Sequence, residues 1–236
     1  MPVRIVLSHP SHPGNIGAAA RAMKTMGFAD FALVRPRHFP DPDATALAAG
    51  AADVLAGARV FDTLEAALAE CTLAAGFSAR SRELSHPPTR LREAVAELAA
   101  AASRGTVALV FGNEASGLSN AELARCQRLV SIPANPAYGS LNLAAAVQVA
   151  CYELAMAAAA HPTPEGGAGS PATGEDIAGL FRHLEACAID SAFLDPAQPG
   201  RFLERMRRLF ARTGLEREEV KLLRGLLAAC EKRMKR

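Results

Sequence analysis

"IPANPAYGSLNLAAAVQVA", residues 132–150, joins a loop rich in proline, asparagine and glycine directly to a helix-forming stretch. Between Leu141 and Cys151 this stretch has no charged side chain, and a helix that is apolar on every side is normally fully buried. We therefore expect the loop to be a ligand site. We expect the helix, 141–158, to be buried either within one subunit or against a second copy of the chain.

On either side of this stretch, the first 160 residues alternate between short β-branched runs and alanine-rich helical runs. Strands are predicted at 4–8, 31–36, 58–61, 72–78, 106–112 and 128–133. Helices are predicted at 15–27, 45–55, 63–71, 91–103, 120–126 and 141–158. Apolar strands separated by helices indicate an α/β fold, a doubly wound parallel sheet covered on both faces. Ligands of such sheets bind outside the carboxyl ends of the strands.

The rest of the chain differs in composition. Residues 161–174 contain three prolines and four glycines, which predicts a flexible linker. Residues 175–236 have helical apolar spacing, and 201–236 hold 12 Lys and Arg against 5 Asp and Glu. We therefore divide the chain into a domain at 1–160, a linker at 161–174 and a basic helical domain at 175–236. The basic end indicates either a polyanionic partner or a solvated helix surface.

Several classes of protein are disfavoured by the composition. The five cysteines are scattered and contain no CxxC pair, so we expect neither a disulfide framework nor a metal site. We found no apolar run long enough for a membrane span and no basic, apolar leader at the N-terminus, and we expect a cytoplasmic protein. Neither GxGxxG after the first strand nor GxxxxGK[ST] occurs, which disfavours dinucleotide enzymes and P-loop NTPases.

Three segments carry a resemblance to a known family: "NIGAAARAMKTMG" (15–27), "LVFGNEASGLS" (109–119) and "IPANPAYGSLNLAAAVQV" (132–149). In this order they resemble the three motifs of SPOUT RNA 2′-O-methyltransferases of the TrmH and TrmJ type. "SARSR" (78–82), "LRGLLA" (223–228) and the basic tail are most similar to the TrmJ-type tRNA (cytidine/uridine-2′-O-)-methyltransferases, which act at position 32 of the anticodon loop. The resemblance implies a deep trefoil knot at the carboxyl end of the sheet, a feature that periodicity does not show.

The resemblance also implies S-adenosyl-L-methionine as the cofactor, held by backbone groups of the knotted loops. The family often has Thr or Ser where Phe77 stands. Glu114 matches the second motif, and we expect its carboxylate to hold backbone amides or to be an exposed loop carboxylate. The matching cofactor-binding positions are Phe77, Ser78, Ala79, Gly112, Glu114, Gly117, Ile132, Gly139, Ser140 and Leu141.

Arg21 is the predicted catalytic residue, together with Ser140 and Asn142 from the third motif. Arginine is a poor base because its pKa exceeds about 12. We therefore expect Arg21 to position the ribose hydroxyl, pair with a phosphate and stabilise the developing alkoxide, with proton acceptance as the alternative. Without the resemblance, the sequence predicts that Arg21 is an exposed helix arginine in an ion pair. Asn15 is either the N-cap of the Arg21 helix or a residue that fixes this helix.

The predicted partners are tRNA and a second copy of the chain. RNA contacts are expected from Arg21, Lys24, Arg80, Arg82, Arg205 and Arg208. The alternatives are the same chemistry on ribosomal RNA or on another tRNA position, a non-catalytic RNA-binding protein on a knotted scaffold, and an α/β enzyme with a nucleotide cofactor. Intact Arg21, Ser140 and Asn142 speak against the non-catalytic protein.

Overall fold

The computed structural model describes residues 1–79, 88–160, 170–197 and 201–234. Its centre is a seven-stranded sheet in the order β3-β2-β1-β6-β4-β7-β5, in which every neighbouring pair is parallel. The strands are β1 (Val3–Ser8), β2 (Asp30–Val34), β3 (Arg59–Phe61), β4 (Cys71–Phe77), β5 (Thr89–Arg90), β6 (Thr106–Phe111) and β7 (Arg128–Ser131). The predicted parallel α/β fold is thereby confirmed.

Helices connect these strands and continue beyond the sheet. They are α1 (Pro13–Thr25), α2 (Pro42–Ala48), α3 (Ala52–Ala56), α4 (Leu64–Leu68), α5 (Leu91–Ala102), α6 (Asn120–Leu123), α7 (Leu143–Ala160), α8 (Gly174–Asp190), α9 (Phe202–Ala211) and α10 (Arg217–Met234). A short 3-10 turn, Ala49–Ala51, separates α2 from α3.

Alternate residues of the central strands point into two separate cores. On β1, Ile5 and Leu7 join the larger core with α1, α5 and α7, whereas Val6 joins a smaller core with α4. All three side chains are fully buried. A strand that is apolar on both sides is stable only when helices cover both faces of the sheet, and these helices do so.

Two local predictions were wrong. The single helix expected at 45–55 is broken into α2, the 3-10 turn and α3, where Ala49 has a positive φ of 47° and Gly50 follows. The helix expected at 15–27 begins earlier, at Pro13, and its N-cap is His12 rather than Asn15. Proline is favoured at the first position of a helix because it lacks the N–H that would be unpaired there.

Helix α7 buries one face only. Leu143, Val147, Ala150 and Leu154 pack into the larger core, but Tyr152 and Met156 on the opposite side are 47% and 48% exposed. The alternative of a helix wholly buried within one subunit is therefore wrong. Helix α7 thus has an exposed apolar side that bears Tyr152 and Met156.

The C-terminal helices pack on one another and on the sheet domain. Ala172, Leu180 and Val220 form their own small core, and the N–H of Ala172 donates to the carbonyl of Leu215 at 2.9 Å. The N–H of Glu175 donates to the carbonyl of Ala69 at 3.0 Å, which attaches α8 to the end of α4. Most of the predicted linker, 161–169, lies outside the described residues.

Candidate functional site

A cleft lies at the carboxyl edge of the sheet, where the loops after β4, β6 and β7 meet the start of α7. It is the place where a parallel α/β sheet binds its ligand. Every position matched to cofactor binding lines this cleft: Phe77, Ser78, Ala79, Gly112, Glu114, Gly117, Ile132, Gly139, Ser140 and Leu141. The loop of residues 132–142 thus forms one side of the site, as the opening sequence predicts.

One wall of the cleft is aromatic. The rings of Phe77 and Phe111 stack with their centroids 4.4 Å apart and an interplanar angle of 18°, and both residues line the cleft. The side chain at position 77 therefore contributes packing, where a family Thr or Ser would offer a hydroxyl. Together with Ile132 and Leu141, this wall suits a flat, largely apolar ring system.

The loop after β6 is a tight turn that requires glycine. A Cβ on Gly112 would lie 2.2 Å from the backbone carbon of Gly117, and Gly117 itself has a φ of +69°. The N–H of Gly117 donates to the carbonyl of Asn113 at 2.8 Å. Because both glycines are needed for this turn, the loop holds Glu114 in a fixed position between them.

The Glu114 carboxylate binds the loop that precedes α1. It accepts hydrogen bonds from the N–H of Ser11 at 2.9 Å, the hydroxyl of Ser11 at 2.7 Å and the N–H of His12 at 3.2 Å. Burial raises the pKa of this carboxyl, but the hydrogen bonds from Asn15 and Ser11 outweigh burial and lower the pKa to about 2. Glu114 is therefore an ionised structural anchor near a helix N-terminus, where negative charge is favoured.

A chain of hydrogen bonds connects the three motifs. The amide nitrogen of Asn15 donates to Glu114 at 3.0 Å, and the amide nitrogen of Asn142 donates to the amide oxygen of Asn15 at 2.9 Å. The amide oxygen of Asn142 in turn accepts from the N–H of Ala144 at 2.9 Å, in the first turn of α7. Asn15 thus acts as the link between the second and third motifs, rather than as the N-cap of α1.

Hydrogen-bond donors of the loop before α7 are left open. Within the described ranges, the backbone N–H groups of Gly139, Ser140 and Leu141 make no hydrogen bond, and the Ser140 hydroxyl has no protein partner. Ser140 is exposed. Three consecutive free N–H groups and a hydroxyl at the cleft can bind polar groups of a ligand without any protein bond being broken.

Two of the basic residues predicted to bind RNA, Arg21 and Lys24, lie on α1. Arg21, on the exposed side of α1, has no hydrogen-bond or ion-pair partner among the described residues, and it does not line the cleft of its own chain. Lys24 donates to the carbonyl of Gly50 at 2.9 Å and pairs with Asp53 at 2.7 Å. The ion-paired surface role thus describes Lys24 and not Arg21.

The other residues predicted to bind RNA lie outside α1. Arg205 and Arg208 are exposed on α9, and neither has a partner in the part of the chain that the structure describes. Arg80 and Arg82 lie outside the described residues.

Sequence reasoning missed Ser11, which supplies two of the bonds to Glu114. The polar run that follows β1, "SHPSHPGN" (8–15), was the available signal.

No helix of the described ranges is long and apolar enough to cross a membrane. No group of three or more His, Cys, Asp or Glu side chains in these ranges is placed to hold a metal ion.

A parallel α/β sheet whose carboxyl edge bears these three linked motifs defines an RNA methyltransferase of the SPOUT class. The model of the SpoU rRNA Methylase family matches residues 2–152, and that of the tRNA methyltransferase TrmJ C-terminal domain matches residues 175–236. The chain belongs to the SpoU methylase family and carries the TrmJ C-terminal domain. Membership implies the trefoil knot at the carboxyl edge.

Known relatives match nearly the whole chain. It is 46% identical to the tRNA (cytidine/uridine/adenosine-2'-O-)-methyltransferase TrmJ of Pseudomonas aeruginosa strain UCBPP-PA14, over 98% of this chain and 94% of that one. It is also 46% identical to the tRNA (cytidine/uridine-2'-O-)-methyltransferase TrmJ of Cronobacter sakazakii strain ATCC BAA-894, over 97% and 96%. The crystal structure of TrmJ from Z. mobilis ZM4 superposes with a TM-score of 0.86 at 31% identity, covering 98% of this chain and 99% of that one.

Proposed function

We propose that this chain is an S-adenosyl-L-methionine-dependent tRNA ribose 2′-O-methyltransferase that acts on cytidine or uridine at position 32 of the anticodon loop. The observation that carries the proposal is the cleft at the carboxyl edge, which the second and third family motifs line and to which Asn15 of the first motif is hydrogen-bonded through Glu114 and Asn142. The relatives that match nearly the full chain are named as tRNA 2′-O-methyltransferases. A tRNA substrate also supports a cytoplasmic location.

The residues of the cleft fit the cofactor. The Phe77–Phe111 wall suits the adenine ring, and the free N–H groups of Gly139 to Leu141 suit its polar edge and the amino-acid group. When bound, the cofactor supplies an electrophilic methyl group on a sulfonium sulfur. We propose that no metal takes part.

Arg21 acts on the RNA. For methylation, the ribose 2′ oxygen would take up the methyl group and release its hydroxyl proton to solvent water, so that negative charge develops on this oxygen. An unpaired guanidinium can hold the adjacent phosphate and stabilise the developing negative charge on the 2′ oxygen. Ser140, with its free hydroxyl at the cleft, orients the nucleotide, and Asn142 holds the loop through Asn15.

A homodimer completes the site. Leu141, Tyr152 and Met156 leave an apolar surface along α7, and Tyr138 in the preceding loop is 83% exposed. Exposed apolar patches of this kind mark interfaces between proteins. Helix α1 lies beside α7, where Thr25 and Gln148 are in contact at 3.4 Å. Because Arg21 does not line its own cleft, a second copy packed along this face supports an active site shared between subunits.

The chain divides by role into a methyltransferase domain at 1–160, a linker at 161–174 and a basic RNA-binding domain at 175–236. The two family models match these parts separately. Arg205 and Arg208 contribute RNA contacts from the basic domain, and Lys24, Arg80 and Arg82 contribute them from the methyltransferase domain. Phosphate contacts of this kind position an RNA without reading its sequence.

Methyl transfer to defined transcripts tests this function. Purified protein with labelled cofactor should methylate a tRNA transcript that has cytidine or uridine at position 32. It should not methylate the same transcript with a 2′-deoxyribose at that position. Label that persists on the deoxy transcript would move the activity to another tRNA position. Label on ribosomal RNA alone would support the ribosomal alternative.

A further inference from the structure

A second cavity lies at the opposite edge of the sheet from the cofactor cleft. It has a volume of about 660 Å³ and separates α8 and α9 from α4 and from the amino ends of β4 and β7. None of its lining residues lines the cofactor cleft. Its size is in the range of sites that hold a nucleotide or a similar small group.

Five arginines and four glutamates line this cavity, and two of the arginines have acidic partners among the described residues. Arg125 pairs with Glu65, and Arg128 pairs with Glu97 at 2.6 Å. The guanidinium groups of Arg104, Arg182 and Arg207 have no hydrogen-bond or ion-pair partner among the described residues. The cavity therefore holds three guanidinium groups that are not bonded to a carboxylate, together with Glu175 and Glu216 in its lining.

Arg207 is the least solvated of the three. It is half-buried, and its guanidinium carbon lies 4.5 Å from the ring centroid of Phe181. Burial and repulsion from Arg125 lower the pKa of Arg207, and attraction to Glu185 and Glu65 offsets part of this lowering. Among the described residues no carboxylate lies within ion-pair distance of Arg207, and Glu65 and Glu185 act on it only from farther away. A partly buried charge without a directly bonded counter-charge is unfavourable, and the contact with the aromatic face offsets only part of that cost.

We propose that this cavity binds a phosphate group of the tRNA backbone, with Arg207 as the main contact and Arg182 beside it. The inference rests on the proposed function and adds a named anchor for the substrate far from the cofactor. A planar guanidinium matches phosphate through two parallel hydrogen bonds. Arg205 and Arg208, on the same helix, face solvent, so a strand that crosses α9 would meet them as well. A free phosphate compound is the second source of the same chemistry.

Binding of a tRNA transcript by the full-length chain is the first test. Arg207→Gln should weaken affinity about fivefold or more. The slope of log affinity against log salt should also become shallower by about 0.7 to 0.9, the value for one lost phosphate contact. Arg212→Gln is the matched control, because it removes the same charge from an exposed position at the end of α9, outside the cavity. Equal losses in both variants would mean that only net charge matters and would overturn the proposal.

Thermal unfolding with inorganic phosphate is the second test. Sodium phosphate should raise the Tm of the unmodified chain above that in sodium chloride of the same ionic strength, and Arg207→Gln should abolish this difference. Arg182→Gln, at an exposed position, should reduce it and serves as the second variant if Arg207→Gln does not fold. Protection by phosphate or AMP with unchanged tRNA affinity in the variants would overturn the assignment to RNA. No protection and no change in affinity would overturn the site altogether.

Steady-state kinetics keep this inference separate from the proposed function. Arg207→Gln should raise the KM for tRNA and leave kcat and cofactor affinity unchanged, because the cavity is remote from the cleft. A chain that binds tRNA through Arg207 and transfers no methyl group would refute the function and leave the anchor standing. A lower kcat with an unchanged KM would contradict the anchor.

Discussion

Asn15, Glu114 and Asn142 come from three distant parts of the chain and hold one another by side-chain hydrogen bonds. Their bonds keep the loop before α1, the turn after β6 and the start of α7 in one arrangement. A site built from loops gains precision when the side chains around it are fixed in this way. These residues matter to the reaction through the shape of the cleft.

The first prediction concerns Glu114 and pH. Its pKa in the folded chain is about 2, against an ordinary value of 4.5. A lowered pKa means that ionised Glu114 stabilises the fold fully above about pH 4.5 and that this stabilisation is lost as pH falls towards 2. Glu114→Gln should therefore lower the free energy of unfolding at pH 7, with a smaller difference from the unmodified chain at pH 3. Denaturant unfolding at both pH values measures this, and a difference that grows at low pH would contradict it.

The second prediction concerns Arg21. Arg21→Ala should lower kcat for methyl transfer roughly 100-fold or more, the usual effect of removing a group that stabilises transition-state charge. Cofactor affinity should stay within a few-fold, because Arg21 does not line the cleft. Lys24→Ala is the comparison: Lys24 contributes an RNA contact and is paired with Asp53, so its loss should raise the KM for tRNA and have a much smaller effect on kcat. Near-normal turnover in Arg21→Ala would remove this residue from the mechanism.

At the scale of single elements, the strongly periodic segments could be predicted and the weakly specified ones could not. The strand at 106–111 is a run of apolar residues, and its burial on both faces follows from that composition. The strand β5 has only two residues, Thr89 and Arg90, which is too short for an alternating pattern. It forms because these residues pair with the end of β7. The break between α2 and α3 was also hidden, since alanine favours helix on both sides of it.

Two glycines in helices give a matched test of packing. Gly17 in α1 faces the backbone of α2, where an added Cβ would lie 2.0 Å from the carbonyl oxygen of Ala44, whereas a Cβ on Gly225 in α10 would meet nothing within 4 Å. Gly17→Ala should destabilise the chain by about 2 kcal/mol or more because α1 and α2 must separate. Gly225→Ala should stabilise it by roughly 0.5–1 kcal/mol through helix propensity. Thermal unfolding of both variants checks this, and a tolerated Gly17→Ala would contradict the close contact.

Helix α7 shows why the absence of charged side chains between Leu141 and Cys151 does not settle burial. Its alanines allow close packing on any side, so the sequence does not tell core from interface. Met156→Lys should convert the dimer to monomer at micromolar concentration, because it places a charge in the proposed apolar interface. Leu222→Lys, at a 70% exposed position of α10, should leave the dimer intact. Analytical ultracentrifugation measures both, and a dimer that survives Met156→Lys would place the interface elsewhere.

At the scale of the whole molecule, the three family motifs predicted the position of the site better than the hydrophobic periodicity did. Periodicity located the strands, and the loops after them became candidates because parallel strands end at one edge. The arrangement of those loops depends on contacts between residues about 100 positions apart, such as Asn15 with Glu114, which no local pattern encodes. The cavity around Arg207 was missed for the same reason, since its lining comes from both the sheet domain and the C-terminal helices.

Mapping of methylated riboses in the tRNA of the host tests the central claim most directly. Cells with the protein should carry a 2′-O-methyl group on cytidine or uridine at position 32. Cells without the protein, or with only the Arg21→Ala variant, should lack it, while other methylated riboses stay unchanged. Position 32 that remains fully methylated without the protein, or a different ribose that loses its methyl group, would contradict the account.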